Sequence, residues 1–145
     1  MQLQFLVLVV VTIVALSYAQ DGMSVDFMMD ERVFMVEFYS AMCGSCQEFA
    51  PTWAKLEKAS KNIVTAKLDI DEPDVMAIAD ALGVLEEGLP NIRLFTEANG
   101  GHKGISILPG IVEPYKDVLS TVKQHLKHLT KRDDGMFIKS HGGGL

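Results

Sequence analysis

Cysteine is nearly absent from this chain of 145 residues: only Cys43 and Cys46 occur. A closed zinc site takes four ligands, usually Cys or His, and the histidine nearest in sequence is His102. A C-x-x-C pair can be half of such a site, but here the other half is missing. An excess of positive charge is also lacking. The formal net charge of −6 does not suggest a nucleic-acid surface. Mild acidity favours solubility and says little about a specific partner. The apolar run from Phe5 to Leu16, broken only by Thr12, falls short of the about 20 residues of a transmembrane helix. No N-x-S/T sequon, internal repeat or second domain is visible.

The chain has room for one domain and enough apolar residues, 48%, to bury a core. The Phe5–Leu16 run leads to Ser17-Tyr18-Ala19, with small residues at the two positions that matter before a cleavage point. This is the pattern of a secretory signal peptide, although no Lys or Arg precedes the run. Cleavage is expected after Ala19, leaving Gln20 first, so residues 1–19 are set apart from the fold; an uncleaved anchor is the other reading. Disulfides persist in the secretory pathway. The final residues, Lys139 to Leu145, carry no KDEL-type signal. The expected location is therefore the secretory pathway, either secreted or in the endoplasmic reticulum lumen.

The two cysteines lie between a strand-like run and a helix-forming segment. Val33 to Tyr39 is apolar except for Glu37 and reads as a strand buried on both faces. Cys43 to Ser60 reads as a helix with Pro51 inside it, which should kink it. A purely structural bridge would close too small a ring to constrain the unfolded chain much. So short a bridge is better explained by chemistry. A helix N-terminus carries free N–H donors and partial positive charge. Such a site can lower a cysteine pKa from about 8.5 to roughly 7 or below. Cys43 is the expected attacking thiol and Cys46 the resolving one, one turn later and more buried. Gly44 and Ser45 let the tight turn form.

Glu37 is the anomaly of its strand. An ionised carboxylate in a dry interior is costly, so burial should raise its pKa; a solvated, edge-facing glutamate is the other reading. Ile63 to Leu68 is the next strand, with Lys67 in its middle, where an edge lysine in solvent is the ordinary expectation. Pro73 to Leu82 reads as a helix, stopped by Gly83. A loop through Leu89-Pro90 leads to the strand Asn91–Phe95. Residues 96–101 read as a hairpin turn through Asn99-Gly100, and Gly104 to Leu108 as the last strand. Glu113 to Thr130 reads as an amphipathic helix with Val118, Leu119, Val122, Leu126 and Leu129 as its buried stripe. His125 and His128, one turn apart on it, read as surface residues. Residues 131–145 read as a flexible polar, glycine-rich tail.

Glu37-Phe38-Tyr39 through Cys43-Gly44-Ser45-Cys46 and on to Ala50-Pro51-Thr52-Trp53 resembles the thioredoxin-like catalytic domain of protein disulfide isomerases. The resemblance covers about residues 33–129. It implies an α/β thioredoxin-like three-layer fold over residues 20–130, with a central mixed sheet flanked by helices. Asp21 to Arg32 leaves little room for the family's first strand and helix, so both should be shortened. The strand is reduced to Met23–Val25 or one sheet edge is left open.

The resemblance also assigns roles. Glu37 would be the buried acid that takes and returns a proton, with Lys67 as its partner. Leu89-Pro90 would be the cis-proline loop opposite the dithiol, whose Leu89 backbone can pair with an extended substrate. Substrate-binding residues would be Leu89, Pro90, Gly44, Ser45 and Met42. Several positions depart from the family pattern. Ser45 replaces the usual proline or histidine, and Met42 the usual tryptophan. Asn91 stands where threonine is common, and the loop is longer through Leu85-Glu86-Glu87. Pro109 to Val112 lacks the arginine that isomerases carry in a late loop. The expected function is a thiol–disulfide oxidoreductase, of oxidase, isomerase or reductase direction, acting on protein or peptide thiols and disulfides. No metal or organic cofactor is needed. No nucleic acid, no membrane contact after signal removal and a monomeric state are expected. The alternative is a non-enzymatic secreted module that keeps only the peptide groove.

Overall fold

The computed structural model describes residues 26–98 and 103–141. The signal-peptide boundary, Met23–Val25 and Asn99-Gly100 lie outside the described residues.

The run Phe34–Tyr39 forms β1, and every residue but Tyr39 is buried. Such a strand needs cover on both faces, and it has it. Alternation along β1 sends Met35 to one side, where it packs with Phe49, Trp53 and Leu56 of α2 (Gly44–Ala59) and Val118 and Val122 of α5 (Tyr115–Leu126). Phe34, Val36 and Phe38 go to the other side, against Val75, Ala79 and Leu82 of α3 (Pro73–Leu82) and Phe27 of α1 (Asp26–Met29). The central sheet has the order β2-β1-β3-β5. β2 (Val64–Asp69) is parallel to β1, and β3 (Asn91–Phe95) is antiparallel to it. β5 (Ile105–Pro109) adds antiparallel to β3. This is a three-layer α/β thioredoxin fold with a mixed sheet. Among the described residues, the outer edge of β2 pairs with no further strand.

Local signals set the element ends. Pro73 opens α3 at its first turn, and Gly83 closes it at φ 78°, where a side chain would be strained. α2 runs through Pro51 as one element of 16 residues. Val84–Glu87, read as loop from sequence, forms a one-turn helix, α4.

Two expectations differ from the structure. The last helix is Tyr115–Leu126, shorter than 113–130. Pro114 occupies its cap position, and after Leu126 the chain turns so that Leu129 packs on the core from outside the helix. The residues from 131 to 141 are also not a loose tail. The Val33 amide donates to the Phe137 carbonyl at 3.0 Å, and the Phe137 amide to the Asn62 carbonyl at 2.8 Å. Ser140–His141 forms β6, parallel to β4 (Glu97–Ala98). Lys139 is 2% exposed, and its Nζ donates to the carbonyls of Phe27 at 2.6 Å and Asp30 at 2.7 Å. Burial lowers the Lys139 pKa, with Asp30 opposing. The polar composition of this segment conceals inward-facing residues, each with a partner. None of the described helices is long and apolar enough to cross a membrane.

Candidate active site

Ser40 follows β1 and begins the turn that carries the cysteines. Its hydroxyl donates to Asp71 Oδ2 at 2.8 Å and accepts from the Met42 amide at 3.1 Å. The Cys43 amide closes the turn onto the Ser40 carbonyl at 3.1 Å. Cys43 then sits at the N-cap of α2, and its Sγ accepts the Cys46 amide at 3.2 Å. Cys43 and Cys46 form a disulfide, with Cα atoms 5.2 Å apart. The pair is asymmetric. Cys46 is buried, whereas Cys43 is half-buried and flanked by the exposed Met42 and Gly44.

The Leu89–Pro90 peptide is cis. Ser45 lies between this loop and the dithiol. Its Oγ is 3.2 Å from the Leu89 carbonyl oxygen and 3.2 Å from Cys43 Sγ. The loop is fixed from behind. The Gly110 amide donates to the Pro90 carbonyl at 3.1 Å. Gly110 has φ 78°, and a Cβ there would meet the Glu87 carbonyl oxygen at 2.5 Å, so only glycine fits this approach. Glu87, in the stretch that lengthens the loop, gathers several donors. Asn91 Nδ2 lies at 2.9 Å, Ser106 Oγ at 2.8 Å and Arg93 Nη2 at 2.9 Å. Burial opposes ionisation of Glu87, but these donors outweigh it and hold its carboxyl below the usual range. Arg93 is 4% exposed and also donates to the Asn91 side chain and the Lys103 carbonyl.

Glu37 is two residues beyond Met35 and so lies on the α2-facing side of β1. It is 1% exposed, which excludes the solvated reading. Lys67, its register partner on β2, has Nζ 3.4 Å from Glu37 Oε2. That distance makes an ion pair, but neither carboxylate oxygen has a well-directed hydrogen bond among the described residues. Burial pushes the Glu37 pKa up to about 7, with Lys67 opposing. The lysine itself is partly exposed, with its Nζ also 4.2 Å from the centre of the Tyr39 ring.

The structure therefore brings Cys43, Cys46, Ser45, Leu89 and Pro90 together around one turn, with Met42 and Gly44 at its exposed rim. Glu37 and Lys67 form a separate pair within the sheet. Ile111 and Val112 are exposed after β5, His125 is exposed on α5, and His128 is exposed just beyond its end. A cavity of about 450 Å³ between Ser60, Ile63, Leu126 and Phe137 lies at the far end of α2 from the dithiol. Sequence reasoning missed the Ser40–Asp71 tether and the Arg93–Glu87 pair. A serine just before a tight turn was the available signal for the first. A lone arginine in an otherwise buried strand was the signal for the second.

A family model described as Thioredoxin matches residues 17–108. The chain is 30% identical over 138 residues to protein disulfide-isomerase A4 of Mus musculus, covering 86% of this chain and 21% of that protein. It is 32% identical over 102 residues to a protein disulfide-isomerase of Hordeum vulgare, covering 64% of this chain and 19% of that one. The chain thus spans about a fifth of the length of these relatives. Its fold is similar to that of oxidised thioredoxin from Plasmodium falciparum, with a TM-score of 0.53 and 17% identity over 73% of this chain and 91% of that one. The family match covers more than half of the sequence and contains the strand, the C-x-x-C turn and the cis-proline loop, so the chain belongs to the thioredoxin family.

Proposed function

We propose that this protein is a thiol–disulfide oxidoreductase that acts on protein or peptide disulfides through Cys43 and Cys46. The observation that carries this reading is the asymmetric pair: a reachable Cys43 at a helix N-cap, in disulfide contact with a buried Cys46. In the reducing direction, the Cys43 thiolate attacks one sulfur of a substrate disulfide. The substrate S–S bond breaks, its other sulfur leaves as a thiolate and takes a proton, and a mixed disulfide with Cys43 forms. Cys46 then gives up its proton and attacks Cys43 Sγ, releasing the second substrate thiolate. Two electrons pass to the substrate, and the protein is left as the disulfide seen here. The reverse sequence oxidises a dithiol.

Glu37 is the group assigned to hold the Cys46 proton. A carboxyl that titrates near 7 exchanges protons in either direction at neutral pH. Lys67 is assigned to limit the cost of ionising Glu37. Leu89 and Pro90 form the wall along which an extended substrate would lie, with Met42, Gly44 and Ser45 as its floor. The protein is assigned to the secretory pathway, secreted or in the endoplasmic reticulum lumen, on the strength of the Phe5–Leu16 run and Ala19. It is taken to act as a monomer.

The test is equilibration of the full mature chain with defined glutathione mixtures, followed by trapping with Cys46→Ala. Reversible exchange and a persistent mixed disulfide on Cys43 are expected. A potential near about −180 to −210 mV would make the protein an oxidant or isomerase, and a much lower one a reductase. A pair that never exchanges would overturn the reading and leave a binding module with a structural clip.

A further inference from the structure

Ser45 stands between two acceptors with one proton to give. Its Oγ is 3.2 Å from the Leu89 carbonyl oxygen and 3.2 Å from Cys43 Sγ. A sulfur in a disulfide is neutral and accepts hydrogen bonds weakly. In the oxidised protein the hydroxyl therefore donates to Leu89. Reduction and ionisation change the choice. A thiolate carries full charge, and a hydrogen bond to an ionised acceptor is about twice as strong as a neutral one. The same hydroxyl, already within reach, then turns to Cys43.

We infer that the Ser45 hydroxyl is a redox-directed donor: it stabilises the Cys43 thiolate in the reduced protein and, in doing so, frees the Leu89 carbonyl to accept a substrate backbone amide. This rests on the oxidoreductase reading and adds a catalytic residue to it. In the oxidised form the hydroxyl occupies one of the acceptors that an extended peptide would use. In the reduced form the acceptor opens as the nucleophile is charged. The proline or histidine usual in the family has no hydroxyl at this position, so the device depends on the serine of this chain.

Few other groups compete for the role. The Cys46 amide is the other donor to Cys43 Sγ, and it is a backbone group that no side-chain change removes. Among the described side chains that hydrogen-bond around the turn, the titratable one is Asp71 from the loop after β2. Its carboxylate is engaged by Ser40 and does not hydrogen-bond Cys43 Sγ, and Glu37 of β1 faces Lys67 within the sheet. On the loop side, Glu87 is engaged by Arg93, Asn91 and Ser106. The Pro109–Val112 segment carries no charge.

The experiment compares Ser45→Ala and Ser45→Thr with the parent in the full mature chain. In a Cys46→Ala background, thiolate absorbance against pH follows Cys43 alone. Ser45→Ala is expected to move its ionisation upward by about one pH unit, a roughly tenfold smaller thiolate fraction on the acid side. Ser45→Thr should restore it. With both cysteines present, the potential of the pair should fall by about 30 mV in Ser45→Ala, the equivalent of tenfold in the exchange constant. The carbon-13 shift of the Leu89 carbonyl should move on reduction in the parent and stay put in Ser45→Ala, a change that a merely structural serine would not produce. Equal ionisation in the parent and both variants, with exchange intact, would overturn the inference and leave the oxidoreductase reading standing. Absence of any exchange in the parent would overturn both. Circular dichroism shows that each variant is folded before it is scored.

Discussion

Glu37 and Glu87 are both drawn into the protein, yet their surroundings differ in kind. Glu87 meets an arginine, an asparagine and a serine, and its carboxylate is held ionised. Glu37 meets one lysine at 3.4 Å and has no well-directed hydrogen bond among the described residues. A satisfied buried network rigidifies, whereas an unsatisfied polar group is costly and needs a reason. The first centre fixes the loop that ends at Pro90. Burial pushes the second up to titrate at about 7, on the sheet face that carries the cysteine helix. A carboxylate fixed by several donors on the segment before the cis-proline thus contrasts with one buried in the sheet beside a single lysine.

The largest expected effect comes from breaking the satisfied centre. Glu87→Leu leaves the Arg93 guanidinium buried with its carboxylate partner gone. Removing one member of a buried pair typically costs about 3 kcal/mol or more. Urea unfolding should show a loss of that order with an unchanged slope. A loss below about 1 kcal/mol would place Glu87 among ordinary surface ion pairs and erase the contrast.

Glu37→Gln should have the opposite sign. The native state keeps the Glu37 proton up to about pH 7, while the unfolded chain releases it near 4.5. Between those values the folded form binds more protons, so stability falls as pH rises. The interval from 4.5 to about 7 corresponds to about 3 kcal/mol of lost stability at the alkaline end. Gln cannot ionise and escapes this loss. The variant should therefore gain on the parent by about that amount as pH goes from 4 to 8, and the two curves should run parallel below 4. Turnover should fall by about a hundredfold, the usual worth of a positioned acid–base group. A stability difference that does not change with pH would mean that Glu37 titrates in the native state as it does in the unfolded chain and is not the proton holder.

Much of this arrangement could be read from the chain. The apolar run of β1, Pro73 and Gly83 around α3, and the cysteines at the start of α2 are local signals, and the structure keeps them within a residue or so. The burial of Glu37 followed from one charge in an apolar strand. The centre around Glu87 was not legible, because its partners come from α4, β3 and β5, and only the fold brings them together. The last segment misled for a related reason. Lys139 looks like solvent-facing charge, and its role is set by the carbonyls of Phe27 and Asp30, more than 100 residues away in sequence. Composition identified the polar residues there but not their long-range partners.

The smallest predicted effect is also the most discriminating. Lys67 opposes the rise in the Glu37 pKa, so Lys67→Met should raise it further. The pH at which stability stops falling should then move above 7. The size of the move depends on how tightly the pair is coupled. The Lys67 side chain is 37% exposed, where Arg93 is 5%, and water screens it. A screened pair is worth about 0.2–1 kcal/mol, which is about half a pH unit at most sites. A shift of that size, read from the upper end of the stability–pH curve, would mean that Lys67 trims the ionisation of Glu37 without clamping it, leaving the acid free to exchange its proton. A shift of about two pH units would instead mean that the pair is tightly coupled in spite of the exposed lysine. Glu37 would then belong with the scaffolding, and the Cys46 proton would need another acceptor.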